Sequence, residues 1–257
     1  MSTDEITKME EGGVRESGFC GSPEVVQIIQ KVIAEVIGTY FLVFAGCSVV
    51  VLNKLEGSKG TITFPGICVV WGLTVMILVY ALGHISGAHF NPAVTVPLYL
   101  IAQVLGSILA SGTLYLLYDD LDENSYFGTV PVGAHLKSFI LEILTSFLLM
   151  FVVSAVSTDN RAIGELAGIA VGMTVLIDVF IAGPVSGASM NPARSLGPAV
   201  VMHIFDGFWL YIVGPFLGAI LGASAYNLIR FTEKPLREIG ASSTILKSMS
   251  RVNTFRR

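Results

Sequence analysis

An eight-residue stretch is written twice in this chain, one hundred positions apart: Ser86–Ala93 reads SGAHFNPA and Ser186–Ala193 reads SGASMNPA. Each copy ends in Asn-Pro-Ala, as Asn91-Pro92-Ala93 and Asn191-Pro192-Ala193. That order starts a helix. An Asn side-chain oxygen caps the first free N–H groups, and Pro at the first helical position lacks only an N–H that would have had no partner there. Both copies lie inside apolar sequence too long for a soluble loop, so two short helices are predicted to begin at membrane depth. Irregular backbone survives at that depth only where it lines a cavity. Two half-helices sharing one cavity make a pore.

The composition agrees with a membrane setting. Of 257 residues, 53% are hydrophobic and 13% charged, with a mean hydropathy of +0.73, outside the range of soluble chains. No Asp, Glu, Lys or Arg occurs from Gly60 through Tyr118. At about 20 residues per crossing, that stretch holds two crossings and a surplus that contains the first Asn-Pro-Ala. Further apolar blocks run over Val25–Asn53, Ala134–Val156, Ala162–Ile181 and Gly207–Ile229, which makes six crossings. The formal charge of −4, with no folded basic patch, does not suggest a nucleic-acid partner, and none is expected. Basic residues instead concentrate on the side shared by the two tails, among them Lys31, Arg161 and Arg230, against Lys54, Lys59 and Lys137 opposite. The positive-inside rule then puts both termini in the cytoplasm. Cys20, Cys47 and Cys68 have neither metal nor disulfide spacing and read as packing thiols. The polar, acidic residues 1–24 do not read as a cleavable signal peptide but as a disordered tail.

The repeat extends beyond its core. Glu35 in the first span answers Glu142 in the fourth, so the chain divides into halves over residues 25–118 and 134–230. Small residues four apart recur as Ala102, Gly106, Ala110, as Gly164, Gly168, Gly172, and as Gly214, Gly218, Gly222, which predicts close helix approach in the bilayer. Three crossings per half invert the second copy, so the two loops enter from opposite faces and meet near the midplane. With paired Asn-Pro-Ala boxes, Gly83–Phe90 (GHISGAHF) and Asn191–Ser195 (NPARS), the chain closely resembles the aquaporins, or major intrinsic proteins, from Val25 to Ile229. The resemblance implies an all-α membrane fold of six transmembrane helices and two re-entrant half-helices. It also implies a homotetramer and a passive channel rather than an enzyme, with no cofactor.

Each Asn spends its side-chain oxygen on its own helix, which leaves an NH2 to donate into the lumen. Opposed half-helix N-termini add positive potential, and a continuous proton wire is then hard to sustain. Arg194 is the one formal charge between Asp178 and Asp206, and an intramembrane charge marks a pathway. By resemblance it belongs to a selectivity filter with Trp71, Val179 and Ala188. That set is similar to the filter of the plant nodulin-like intrinsic proteins that pass water and glycerol. Val179 offers an apolar wall to carbon-bearing solutes. The resemblance gives Glu35 and Glu142 a supporting role, accepting hydrogen bonds from the loops, and places His84 in the cytoplasmic vestibule. His84 and His89 lack a third ligand, so no metal is expected. Asp178 has no assigned role. The tail 231–257 is basic and serine-rich, with Ser248 a candidate for phosphorylation.

The halves disagree in one place. Aligning Leu98-Tyr99 with Leu210-Tyr211, and Gly106 with Gly218, leaves 15 positions from Asn91 to Gly106 against 27 from Asn191 to Gly218, so the first half is 12 residues short after Val96. Half a membrane, about 15 Å, takes roughly ten helical residues, and Pro92–Val96 supplies five. Either the first half-helix is stunted or the third span begins deep, with Asn91 poorly fixed. The expectation is thus a water and glycerol channel of the plasma membrane, other plant membranes being left open. Its rivals are a non-conducting or poorly conducting subunit of that kind and a proton- or sodium-coupled transporter built from inverted repeats.

Overall fold

The computed structural model describes residues 22–230 apart from 56, 96, 119, 120, 160 and 163; the expectations for the two tails, Cys20 and Ser248 fall outside the described residues. Among the described residues, seven α-helices and three short 3-10 turns follow one another. Helix α1 (Pro23–Lys54) is capped by the Ser22 hydroxyl, which accepts from the Val25 N–H, with Pro23 in the first turn. Helix α2 (Thr63–Ser86) stops at Gly87, whose φ of 95° only glycine adopts freely and whose N–H bonds back to the Gly83 carbonyl. The twin of that ending closes α5 (Ala167–Ser186), where Gly187 has φ 79° and donates to Gly183. Between them lie α3 (Leu100–Leu117) and α4 (His135–Thr158), and the chain continues with α6 (Pro192–Met202) and α7 (Leu210–Ile229). Six of the helical segments are long and apolar enough to cross a membrane; α6 is the half-length exception.

Packing follows the repeat. Helix α1 packs on α2 and α3 as α4 packs on α5 and α7, and α2 crosses α5 to join the halves. At that crossing Gly72 and Gly172 are reciprocal: a Cβ on either would lie 2.6–2.7 Å from the other's carbonyl oxygen, closer than any side chain tolerates. Gly106 meets the Val36 carbonyl of α1, and Gly218 meets the Ile143 carbonyl of α4 in the same way. The predicted small-residue row of the fifth span needs one correction. Gly164 lies in a 3-10 turn ahead of α5 with open space around it, while Gly168 and Gly172 make the close contacts.

Burial is inverted relative to a soluble protein. Glu35, Thr39, Gln103, Ser107, Ser111, Ser138, Glu142 and Asp178 are fully buried, whereas Ile37, Phe41, Leu73, Ile77, Leu144 and Ile220 stand exposed. Apolar side chains facing outward suit lipid, and of the inward polar groups Glu35 and Glu142 find donors within the protein while Asp178 finds none among the described residues.

The third span is not displaced. The Tyr99 hydroxyl donates to the Ser86 carbonyl at 3.3 Å, as Tyr211 donates to Ser186 at 2.7 Å, so α3 meets its loop where α7 meets its own. What is cut is the half-helix. The second copy begins an 11-residue α-helix at Pro192, and the first makes only the three-residue 3-10 turn Pro92–Val94.

Candidate functional site

Both re-entrant loops are built the same way. In each, two non-glycine residues take left-handed backbone, Ala88 and Phe90 in the first, Ala188 and Met190 in the second, with φ between 47° and 53°. Such conformations cost of order 1–3 kcal/mol apiece and persist only where the surroundings impose them. The glutamates impose them here. Glu35 accepts from the Ser86 hydroxyl (2.6 Å), the His89 N–H (3.0 Å), the Phe90 N–H (2.8 Å) and the Gln103 amide (2.8 Å). Glu142 accepts from Ser186 (2.6 Å), Ser189 N–H (2.8 Å) and Met190 N–H (2.7 Å). A buried carboxylate among that many donors is held by charge-assisted bonds and in turn sets the loop backbone.

At the loop tips the two asparagines are handed across. Asn91 Oδ1 caps Ala93 N–H at 2.9 Å, and Asn191 Oδ1 caps Ala193 and Arg194 N–H at 3.0 and 3.2 Å. Asn91 Nδ2 donates to the Met190 carbonyl, and Asn191 Nδ2 to the Phe90 carbonyl, both at 2.7 Å. Two expectations are corrected by this. Asn91 is fixed despite its short helix, because the opposite loop fixes it. Each NH2 also spends one hydrogen on the partner loop, leaving one rather than two for the lumen.

Cavities open from either face and meet at a waist. One, of about 640 Å³, is lined by His84, His89, Asn91, Asn191, Thr158 and Glu165 among others. The second, of about 620 Å³, is lined by Lys54, Glu123, Tyr126 and His203 among others. Trp71, Val179 and Arg194 line both. Ala188 lines the first and is buried beside them. The Arg194 guanidinium lies over the Trp71 ring, 4.2 Å from its centroid, and one Nη donates to the Gly187 carbonyl at 3.0 Å. Its Nε and other Nη have no protein acceptor among the described residues. Desolvated cation–π contacts of this kind are worth ~2 kcal/mol or more.

Several residues of this site carry no motif. Gly46 of α1 forms the slot for Trp71, since a Cβ there would stand 2.3–2.4 Å from the indole. Gln103 gives Glu35 a donor that the second half lacks; its repeat position is Pro215. Thr129, Ser195 and Ser189 form a hydroxyl chain, with steps of 2.7 and 2.5 Å, that ties the 126–130 segment to the second loop. Polar residues at helical spacing hint at Gln103, but Gly46 and Thr129 show only in three dimensions. Asp178 is fully buried, with neither carboxyl oxygen partnered among the described residues. His135 faces Asp206 at 3.8 Å. At the mouth of the second cavity, the Ser125 hydroxyl and N–H hold the Asp122 carboxyl down at about 2. At the other face Arg161 keeps Asp159 below the usual carboxylate range, and Asp159 also accepts from Tyr226.

Comparison with known proteins agrees with this geometry. The family model for the major intrinsic protein matches residues 23–226. A probable aquaporin NIP-type from Nicotiana alata is 58% identical over 265 residues, covering 95% of this chain and 97% of that protein. Putative aquaporin NIP4-1 of Arabidopsis thaliana is 56% identical over 269 residues, with 97% and 94% covered. An alignment of 269 positions is 12 longer than 257 residues can fill, so that relative carries segments absent here. Nodulin-26 of Glycine max is 54% identical over 235 residues, 86% of each chain. Among solved structures, the aquaglyceroporin from Plasmodium falciparum superposes with a TM-score of 0.70 at 23% identity, over 79% of this chain and 96% of that one.

Proposed function

This chain belongs to the major intrinsic protein family, and from that premise we propose that it passes water and small uncharged solutes such as glycerol while turning back protons and ions. It is an integral, multi-pass membrane channel of the aquaporin kind, within the plant nodulin-like group, and not an enzyme. The observation that carries the finer reading is the waist, where two cavities share Trp71, Val179 and Arg194 while the asparagine pair lies in the cavity below. A solute there meets a wall of indole and valine and the Arg194 guanidinium that lines both cavities. An oxygen can accept from Arg194 while a carbon chain slides along Val179, and a cation meets an uncompensated positive charge. Water oxygen then reaches the remaining Asn91 and Asn191 hydrogens, donors that orient it against proton relay.

Swelling of proteoliposomes, read for water and glycerol separately, tests the filter. The triple change Trp71→His, Val179→Ile, Ala188→Thr narrows the waist and raises its polar demand, so glycerol flux falls more than water flux. An equal loss of both removes these residues from selection. Both termini lie in the cytoplasm on this reading, supported by the basic residues Lys31, Arg161 and Arg230 on their side, with the plasma membrane as the site. The homotetramer is carried by family membership.

A second reading has its own observation. The three-residue turn at Pro92–Val94 gives the first half almost no helix dipole, so the chain is a weak conductor beside relatives with a full half-helix.

A further inference from the structure

The missing half-helix leaves a face uncovered. In the second half α6 packs on α3, so closely that a Cβ on Gly197 would lie 2.2 Å from the Ser107 hydroxyl. The repeat maps α3 onto α7 with a shift of 112, Gly106 to Gly218, so each α3 position has a twin at mirrored depth in the other leaflet. Along the side next to Ser107, five twins are more exposed. Val104, Ile108 and Gly112 are half-buried, but Phe216, Ile220 and Ser224 are exposed. Ser111 and Leu114 are buried, but Ala223 and Tyr226 are half-buried. Phe216 is 38% and Ile220 62% exposed. Only the Pro92–Val94 turn packs against α7 where an 11-residue helix would stand. The gap is eight residues of helix, about 12 Å at 1.5 Å per residue.

We infer that a phospholipid acyl chain occupies this groove and stands in for the absent half-helix. Its wall is Phe216 and Ile220, and it runs without a break into the exposed Leu217 and Leu221 of the same helix, inside a span apolar enough to cross the bilayer. Water gains too little there, because Ser224 is the one polar side chain among the three exposed twins and its hydroxyl already donates to the Ile220 carbonyl, while the half-buried Tyr226 spends its own on Asp159. An acyl chain is apolar, already present at that depth, and long enough to line about 12 Å of helix.

The twin positions make a controlled test. The full chain carrying Ile220→Trp, and separately Ile108→Trp, is reconstituted in bilayers of phosphatidylcholine brominated on its acyl chains, and quenching is read after subtracting the native Trp71 and Trp209 signal. Mirrored depth makes bromine equally near in both leaflets, so only cover differs. Quenching at 220 is expected to exceed that at 108 roughly twofold. Insertion of 12 residues copied from Ser195–Asp206 between Val96 and Pro97 is expected to bring it down to the level at 108. Equal quenching at the two positions in the unmodified chain overturns the inference. So does stronger quenching at 220 by aqueous iodide than by bromolipid, which means water fills the groove. Bromolipid quenching that appears only on diluting the protein in the bilayer means a second copy covers the face, and also overturns it. Should the Ile108→Trp or Ile220→Trp chain fail to fold by circular dichroism, the pair Val104→Trp and Phe216→Trp reads the same contrast.

Discussion

Arg194 reaches the waist because three unrelated residues make room for it: Gly46 admits the Trp71 ring, the ring carries the guanidinium, and the Gly187 carbonyl fixes one Nη. Gly46→Ala is therefore expected to push Trp71 and Arg194 toward the lumen and to cut water and glycerol flux several-fold with the protein still folded, as swelling assays with matched protein content will show. Arg194→Val removes the charge and leaves a wider, neutral waist, so proton or cation leak should appear in a pH-dye or patch measurement; a mutant that conducts water with no such leak excludes Arg194 from ion rejection. Asp178 behaves differently. Neither oxygen has a partner among the described residues and the side chain has no exposed surface, so it supplies no hydrogen bond or ion pair that a neutral substitute would lose. Asp178→Asn should then change stability by under about 1 kcal/mol, whereas Glu142→Gln, which turns an amide toward the Ser189 and Met190 N–H groups, should cost about 3–5 kcal/mol and lower the yield of folded protein. A large thermal shift for Asp178→Asn would mean that the carboxylate is charged and paired.

The two half-helices are the elements on which conduction turns, and they are unequal. Helix α6 spans about 16 Å, half of a ~30 Å hydrocarbon core, while its counterpart is a single turn. Restoring 12 residues between Val96 and Pro97 should raise water flux per channel and sharpen proton exclusion, because a second aligned run of N–H dipoles would then face the lumen. If the unmodified chain already conducts as well as a full-length relative, one dipole suffices. The stunting was legible in the sequence because two copies of a motif invite a count between landmarks, and Gly106 and Gly218 are landmarks. Its consequence was not. Ten residues per half-membrane suggested a displaced third span, but Tyr99 repeats the Tyr211 bond, and a hydrogen bond between loop tips holds Asn91 without its helix. Contacts between residues 99 or 101 positions apart, such as Asn91 with Met190 and Asn191 with Phe90, leave no periodic trace in a single chain. The six spans and the glutamate pair were readable because hydropathy and repetition are local signals. The Gly46 slot and the Thr129–Ser195 tie were not, because they depend on which helix faces lie together.

At the scale of the whole molecule, inversion of one half onto the other gives two vestibules and a shared waist. Cavities reach Trp71, Val179 and Arg194 from both faces in one and the same conformation. A transporter that couples solute to protons or sodium needs two states that expose a site alternately, and binding that differs between them. Of the carboxylates within the spans, Glu35 and Glu142 are held by loop donors and Asp178 lines neither cavity. Flux through this chain should therefore follow the solute gradient alone. In proteoliposomes, inward and outward glycerol rates at equal and opposite gradients should match. Neither an imposed pH step nor a sodium gradient should change them, and no gradient of either ion should accumulate glycerol above its outside concentration. Accumulation driven by one ion would show that the open waist is one of two states, and that the inverted repeat of this chain rocks around its site instead of standing open.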